Sequence, residues 1–361
     1  MAVDSPALWD SLVTLASRHI SLSDPSYAVV SLEAQASAIR NLKSSIDSPL
    51  EDITWHETNA ATCLIFSMGL ISTGDGKRWY THMQGAKQFI ISTKRLSSSG
   101  EILHGTDAFK RTAEGQWVLR NFAYHDILGC VTLRKRPLLE PSYLDDISDL
   151  VDSYAGVGTG LLRYVAQIAI LDDEISEVDK MQGDQMASFQ TRWALIEDEL
   201  HCWTCPFQAE ESLSSMAYAY RSVALILLYR TIRKQLRARH HVLSNDNAPD
   251  TMGTLVELLE SKIAFQVAGT LRYVSAIPVW AAAEASLLFP LFVAGGEARK
   301  EEHIHMIRTR LGQILAKRSF QNISHAIEVL ECLWRRSRVP GSGPVDWEEI
   351  LEELDEELVL T

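Results

Sequence analysis

Apolar residues recur at helical spacing along almost the whole chain, and this periodicity is what most restricts the folds open to it. After Asp4-Ser5-Pro6, where a capping serine precedes a proline suited to the first helical position, Leu8, Leu12, Leu15 and Ile20 line one face. Asp24-Pro25 opens a second helix with Val29, Leu32, Ala36, Ile39 and Leu42 as its stripe, and Ser48-Pro49 closes it. The same spacing predicts helices over roughly 55–73, 77–95, 114–134, 157–179, 186–201, 211–241, 250–275, 279–294, 297–317, 320–337 and 346–359. Nowhere do β-branched and polar residues alternate between hairpin turns. The expected fold is therefore all-α: one large domain of about a dozen packed antiparallel helices over 1–338, then an acidic amphipathic helix over 345–361. Polar stretches around Ser97–Gly105, Pro137–Gly160, Ser244–Asp250 and Val339–Pro344 read as linkers, and no fixed-period repeat announces a solenoid.

With 361 residues, 46% of them hydrophobic and 22% charged, the chain has ample material for a buried core. Its net charge of −13 repels a phosphate backbone, so duplex DNA should bind only weakly and through a local basic patch. The opening MAVDSPALWD has neither a basic nor an apolar leader region, which reads as an intracellular protein. The most apolar run, Ala276 to Gly296, is broken by Pro278, Pro290 and Glu284 and reads as a buried helix or two short ones, not a membrane span. Five scattered cysteines read as reduced thiols.

Several clusters resemble chemical sites and fall short of them. His201-Cys202-Trp203-Thr204-Cys205 offers two thiols, whereas structural zinc needs four ligands, so no stoichiometric zinc and no other cofactor is expected. Leu171-Asp172-Asp173-Glu174-Ile175-Ser176-Glu177 partly resembles the metal-binding motif of terpene synthases, but Ser176 stands where an acid is needed. Asn245-Asp246 does not complete a second motif, so the run reads as a solvated helix end. Gly156-Val157-Gly158-Thr159-Gly160 lacks the third glycine and the preceding strand of a nucleotide loop and reads as a linker. Tyr124-His125-Asp126 reads as a hydrogen-bonded core histidine in its setting. Arg230, Arg233, Lys234, Arg237, Arg239, His240 and His241 read as a solvated, dipole-matched helix end. With no catalytic or metal constellation found, the chain does not read as an enzyme.

Four segments carry a family resemblance. Trp79-Tyr80-Thr81-His82-Met83-Gln84-Gly85-Ala86-Lys87-Gln88-Phe89-Ile90 is similar to the "W..H..GA..LI" segment in the regulatory domains of fungal zinc binuclear cluster transcription factors. Leu119 to Pro137 resembles the "F.Y.D.L...T...P" helix of that family, Leu287 to Ala298 its "L..PLF.AG.EA" turn, and Glu328 to Trp334 with Asp346-Trp347 its closing "W...DW" pattern. Read as residues, these look structural. Gly85 and Ala86 allow close helix approach, Pro290 breaks or kinks a helix, and the tryptophans supply core area.

The resemblance implies a nuclear regulator of RNA polymerase II transcription that works through homodimer contacts, co-regulators or an apolar effector. DNA would be read by a zinc cluster that this chain does not contain. Since some relatives bind sterols, Trp280, Phe289 and Phe292 are the candidates for lining a ligand pocket. Trp347, Leu351, Leu354 and Leu358, set among seven acids, are the candidates for an activation segment. The competing reading docks Ile350, Leu351, Leu354 and Leu358 on the core as a terminal helix. Two further alternatives are an assembly subunit without transcriptional activity, since a relative of this fold serves at a kinetochore, and an isoprenoid-type enzyme.

Overall fold

The Ser5 Oγ accepts a hydrogen bond from the Leu8 amide and Pro6 takes the first helical position, so α1 (Pro6–Ser21) starts where its sequence signals. A computed structural model describes residues 1–49, 52–97, 99–147, 156–175, 183–205, 210–243, 251–339 and 345–361. After α1 come α2 (Tyr27–Asp47), α3 (Ile53–Ser72, capped by Asp52), α4 (Trp79–Ser92), α5 (Gly105–Phe109) and α6 (Ala113–Leu133, capped by Thr112). The central part holds α7 (Leu162–Ile175), α8 (Gly183–Cys202), α9 (Glu211–Leu243) and α10 (Thr251–Ser275). The chain ends with α11 (Leu288–Glu297), α12 (Glu301–Arg318), α13 (Gln321–Ser337) and α14 (Trp347–Leu354). The fold is all-α and forms a single domain.

Helices that are apolar on every side must lie at the centre, because only there does each side meet a partner. That holds for α3, α6 and α11, and for the Val223–Tyr229 stretch of α9, all of which are buried nearly throughout. The amphipathic helices surround them: α1 and α4 lie on α3, α10 on α9, and α12 and α13 on α11. The apolar Ala276–Gly296 run resolves into a 3-10 turn over Ala282–Ser286 followed by α11. Pro290 sits in the first turn of α11, where the missing amide would have had no helical partner, so the helix is not broken there. Among the described residues no helix is long and apolar enough to cross a membrane.

Two expectations change. The Ser97–Gly105 stretch, read as a linker, contains β2 (Ile102–His104), which pairs antiparallel with β1 (Lys94–Leu96), Arg95 opposite Leu103. Three-residue strands are too short to show a period of two. The apolar stripe of α2 faces outward: Val29, Leu32 and Ile39 are 62%, 65% and 50% exposed. What α2 buries is Ser31 and Ala38. They face α1, which buries Ser11, Thr14 and Ser17, while Leu12 and Ile20 of its expected stripe stay exposed. Small side chains let the two backbones approach closely. Asp10 then clasps the pair, accepting from Ser37 Oγ at 2.7 Å and Asn41 Nδ2 at 2.9 Å.

Candidate functional site

The four segments that carry the family resemblance fold onto one another in pairs. Trp79, at the start of α4, lies fully buried on Gly129 of α6, where a Cβ would come within 2.7 Å of its ring. Trp347, at the start of α14, lies in the same way on Gly296 of α11, where any side chain would collide with the indole. Beside it the Trp334 indole N–H donates to the Gly295 carbonyl at 2.9 Å. Each tryptophan therefore has a glycine as its seat, contributed by a distant part of the chain.

Trp347 is also held by charge. The Arg230 guanidinium lies 3.3 Å over its ring and donates to both Asp346 oxygens at 2.8 and 2.9 Å. The same guanidinium pairs with Glu297, which also receives Arg233 at 2.7 and 3.0 Å. Burial would raise the Glu297 pKa, but the two facing arginines outweigh it and hold the carboxyl below its ordinary value. Asp346 likewise lies well below the carboxylate range, with Arg230 and Lys234 overcoming its burial. Arg230 and Arg233 are thus not a solvated helix end, as their sequence context suggests. They sit ten and more residues before the end of α9, facing acids from α11 and the start of α14. The side chains of Arg239, His240 and His241 lie outside the described residues.

A cavity of about 370 Å³ opens between α1, α3, α6, α12 and α13, and the carboxyl-terminal residues close one side of it. Its walls are mainly apolar, with Leu15, Met68, Ile71, Leu288, Ile314 and Ile323 among them. The polar residues in its lining include Asn322, Arg318 and His125. The Asn322 amide donates to the Val359 and Thr361 carbonyls at 3.2 and 2.8 Å, and its buried Oδ1 has no hydrogen-bond partner among the described residues. The Arg318 Nε is buried without a partner, and Arg318 has no ion pair among the described residues. The His125 Nδ1 lies 2.8 Å from the Thr361 hydroxyl.

The tail that forms this wall does not continue the helix expected over 346–359. Asp355 turns into the left-handed region and ends α14, after which Leu358, Val359 and Leu360 are buried outside any helix or strand. Thr132 Oγ1 donates to the Leu358 carbonyl there.

The residues expected to line a pocket do not converge: Trp280 is 82% exposed, whereas Phe289 and Phe292 are fully buried in the core. None of the three lines the cavity just described. Pro278 and the turn after it carry Trp280 away from α11, a break that the uniform apolarity of the run conceals. Of the activation-segment candidates, Trp347, Leu351 and Leu358 are buried and Leu354 is 39% exposed. Ile350 is buried, so three of the four residues of the docking alternative face the core.

The acidic run around Asp172 is bound by cations: Lys234 on Asp172, Arg136 on Asp173, and Arg192 with Arg136 on Glu174. Ser176, Glu177 and Asn245-Asp246 lie outside the described residues. Among the described residues no three His, Cys, Asp or Glu are grouped to hold a metal ion. Cys202 is exposed at the end of α8, with Cys205 half-buried beyond it. The Gly156–Gly160 segment leads through a 3-10 turn into α7.

His125 and Asp126 titrate in opposite senses. Burial pushes His125 down to about 4, so its ring is neutral at pH 7. Burial pushes Asp126 up to about 7, against the Leu138 and Leu139 amides that donate to it. As pH falls from 7 toward 4, folded Asp126 takes up a proton that the unfolded chain still rejects, which adds stability. From 6.5 toward 4 the unfolded chain protonates His125 while the folded chain does not, which removes stability. The two changes oppose one another in the wild type. Asp126→Asn should remove the first alone, so that its stability relative to wild type falls by up to about 1.4 kcal/mol per pH unit between 7 and 4. Urea midpoints for both proteins from pH 4 to 8 measure this, and parallel curves would refute it.

The chain matches no curated protein and no solved structure. A family model described as "Fungal specific transcription factor domain" matches residues 1–361. The chain belongs to this family of fungal transcription factor domains, and its role is in the regulation of transcription.

Proposed function

We propose that this domain regulates RNA polymerase II transcription in the nucleus by binding an apolar metabolite in the cavity closed by the carboxyl-terminal tail, without catalysis. DNA reading falls to a zinc cluster outside this chain, and co-regulators respond to the bound state. One observation carries the reading: a mainly apolar cavity of about 370 Å³ lined also by Asn322 and Arg318, whose Oδ1 and Nε have no hydrogen-bond partner among the described residues. Pockets for small molecules have this make-up, apolar walls with a few polar groups that set orientation. A molecule with an apolar body and one polar end fits it. Ligand in the cavity touches α12, α13 and the tail together, so occupancy alters how firmly the tail is held.

Thermal unfolding in the presence of long-chain fatty acids, sterols or polyketides tests the proposal. A ligand that binds only the folded chain adds about 2.7 kcal/mol at a hundredfold excess over its dissociation constant, and the melting temperature rises accordingly. Ala16 lines the cavity and is exposed, so Ala16→Trp should narrow the cavity, abolish the ligand-induced rise and leave the unliganded melting temperature unchanged. No rise with saturating amounts of all three classes would refute the proposal.

A further inference from the structure

We propose that the outer face of α2 is a self-association surface on which a second copy of this chain lays its own α2, antiparallel. The face is a heptad stripe. Val29, Leu32, Ala36, Ile39, Lys43 and Ile46 follow one another at alternating spacings of three and four residues, and all six are exposed. Such spacing winds one helix against another, with each stripe residue fitting between those of its partner. Among the described residues no helix covers it, because α2 meets α1 through the opposite face, with Ser31 and Ala38. The 21 residues of α2 make a rod about 31 Å long.

Charge decides what covers the face. Laid antiparallel on a second α2, Val29 meets Ile46, Ala36 meets Ile39, and Leu32 meets Lys43, whose aliphatic stem covers the leucine while its ammonium reaches water. In that register Glu33 of each copy flanks Arg40 of the other, so the two-fold axis forms the ion pair twice. The parallel arrangement puts Lys43 against Lys43, and its flanking positions pair Ala28 with Glu33, Gln35 with Arg40 and Leu42 with Asp47, none of them opposite charges. Antiparallel self-pairing alone matches both the apolar stripe and the flanking charges.

Sedimentation equilibrium of the whole chain should show a dimer in the micromolar range. Ile39→Glu should make it monomeric, with a melting temperature equal to that of the wild type diluted well below the dimer's dissociation constant, since this side chain is half in water already. Glu33→Arg and Arg40→Glu should each weaken the dimer on the order of tenfold, by replacing two exposed ion pairs with two repulsions. The double variant Glu33→Arg/Arg40→Glu should restore wild-type affinity, because the swapped charges face each other again. Partnership with a different protein, or a parallel pair, predicts no such restoration. A wild-type monomer at 100 µM, a dimer that survives Ile39→Glu, or a double variant as weak as the single ones would each overturn the proposal.

Discussion

Replacing Glu297 with alanine should cost the fold about 3–5 kcal/mol, the loss typical when one member of a buried ion network is removed. The Glu297 side chain is 1% exposed and those of Arg230 and Arg233 are 4% and 5% exposed. Arginine stays charged at any pH a protein tolerates, so two guanidinium groups would remain in the interior without the carboxylate between them. Arg230 would keep Asp346 and Arg233 would keep the half-exposed Glu260, which limits the loss without cancelling it. Glu297→Gln retains an acceptor of the same shape and should fall between alanine and wild type. Urea unfolding at pH 7, followed by tryptophan fluorescence, gives the number. A loss below about 1 kcal/mol for the alanine variant would mean that the network contributes no more than surface pairs do.

The second large effect is expected at Trp347, where alanine should cost about 3–5 kcal/mol by emptying a large core site. The indole is 1% exposed, packed on Gly296, 5.6 Å from the Phe292 ring and under the Arg230 guanidinium. Leu354→Ala, at a site 39% exposed, should cost about 0.5 kcal/mol or less. The contrast bears on the acidic segment as a site of activation. A co-activator could reach Trp347 and Leu351 only after α14 had left this socket. The whole chain fused to a heterologous DNA-binding domain, with this socket intact, should therefore leave a reporter silent. An active fusion that Trp347→Ala and Leu354→Ala switch off would instead make the segment an activator in its own right.

Helix type, number and most starts were legible in the sequence because they are set over a few neighbouring residues. The Asp4-Ser5-Pro6 start and the apolar spacing of the later helices need no distant partner to be read. The tryptophan and glycine pairs were legible as residues but not as pairs. Trp79 reads as core area and Gly129 as nothing in particular until the fold sets one on the other. The cavity was not legible at all. It is lined from positions as far apart as Leu15 and Thr361, and no window of sequence contains it.

What the sequence determined by itself is the local layer: which segments coil, where most of them start, and which face of each is apolar. An amphipathic pattern states that a face needs a partner and leaves open which one, because burial is non-directional and any apolar surface satisfies it. Tertiary structure alone decided that the stripe of α2 faces away from this chain while Ser31 and Ala38 face inward. It alone decided that Arg230 and Arg233 turn from water to Glu297 and Asp346, since an ion pair depends on the distance between side chains and not on their separation in sequence. The carboxyl-terminal tail shows the same division. Its apolar residues announce burial, but only the packed groove beside Thr132 and Asn322 supplies the partners for its backbone that let it leave the helix.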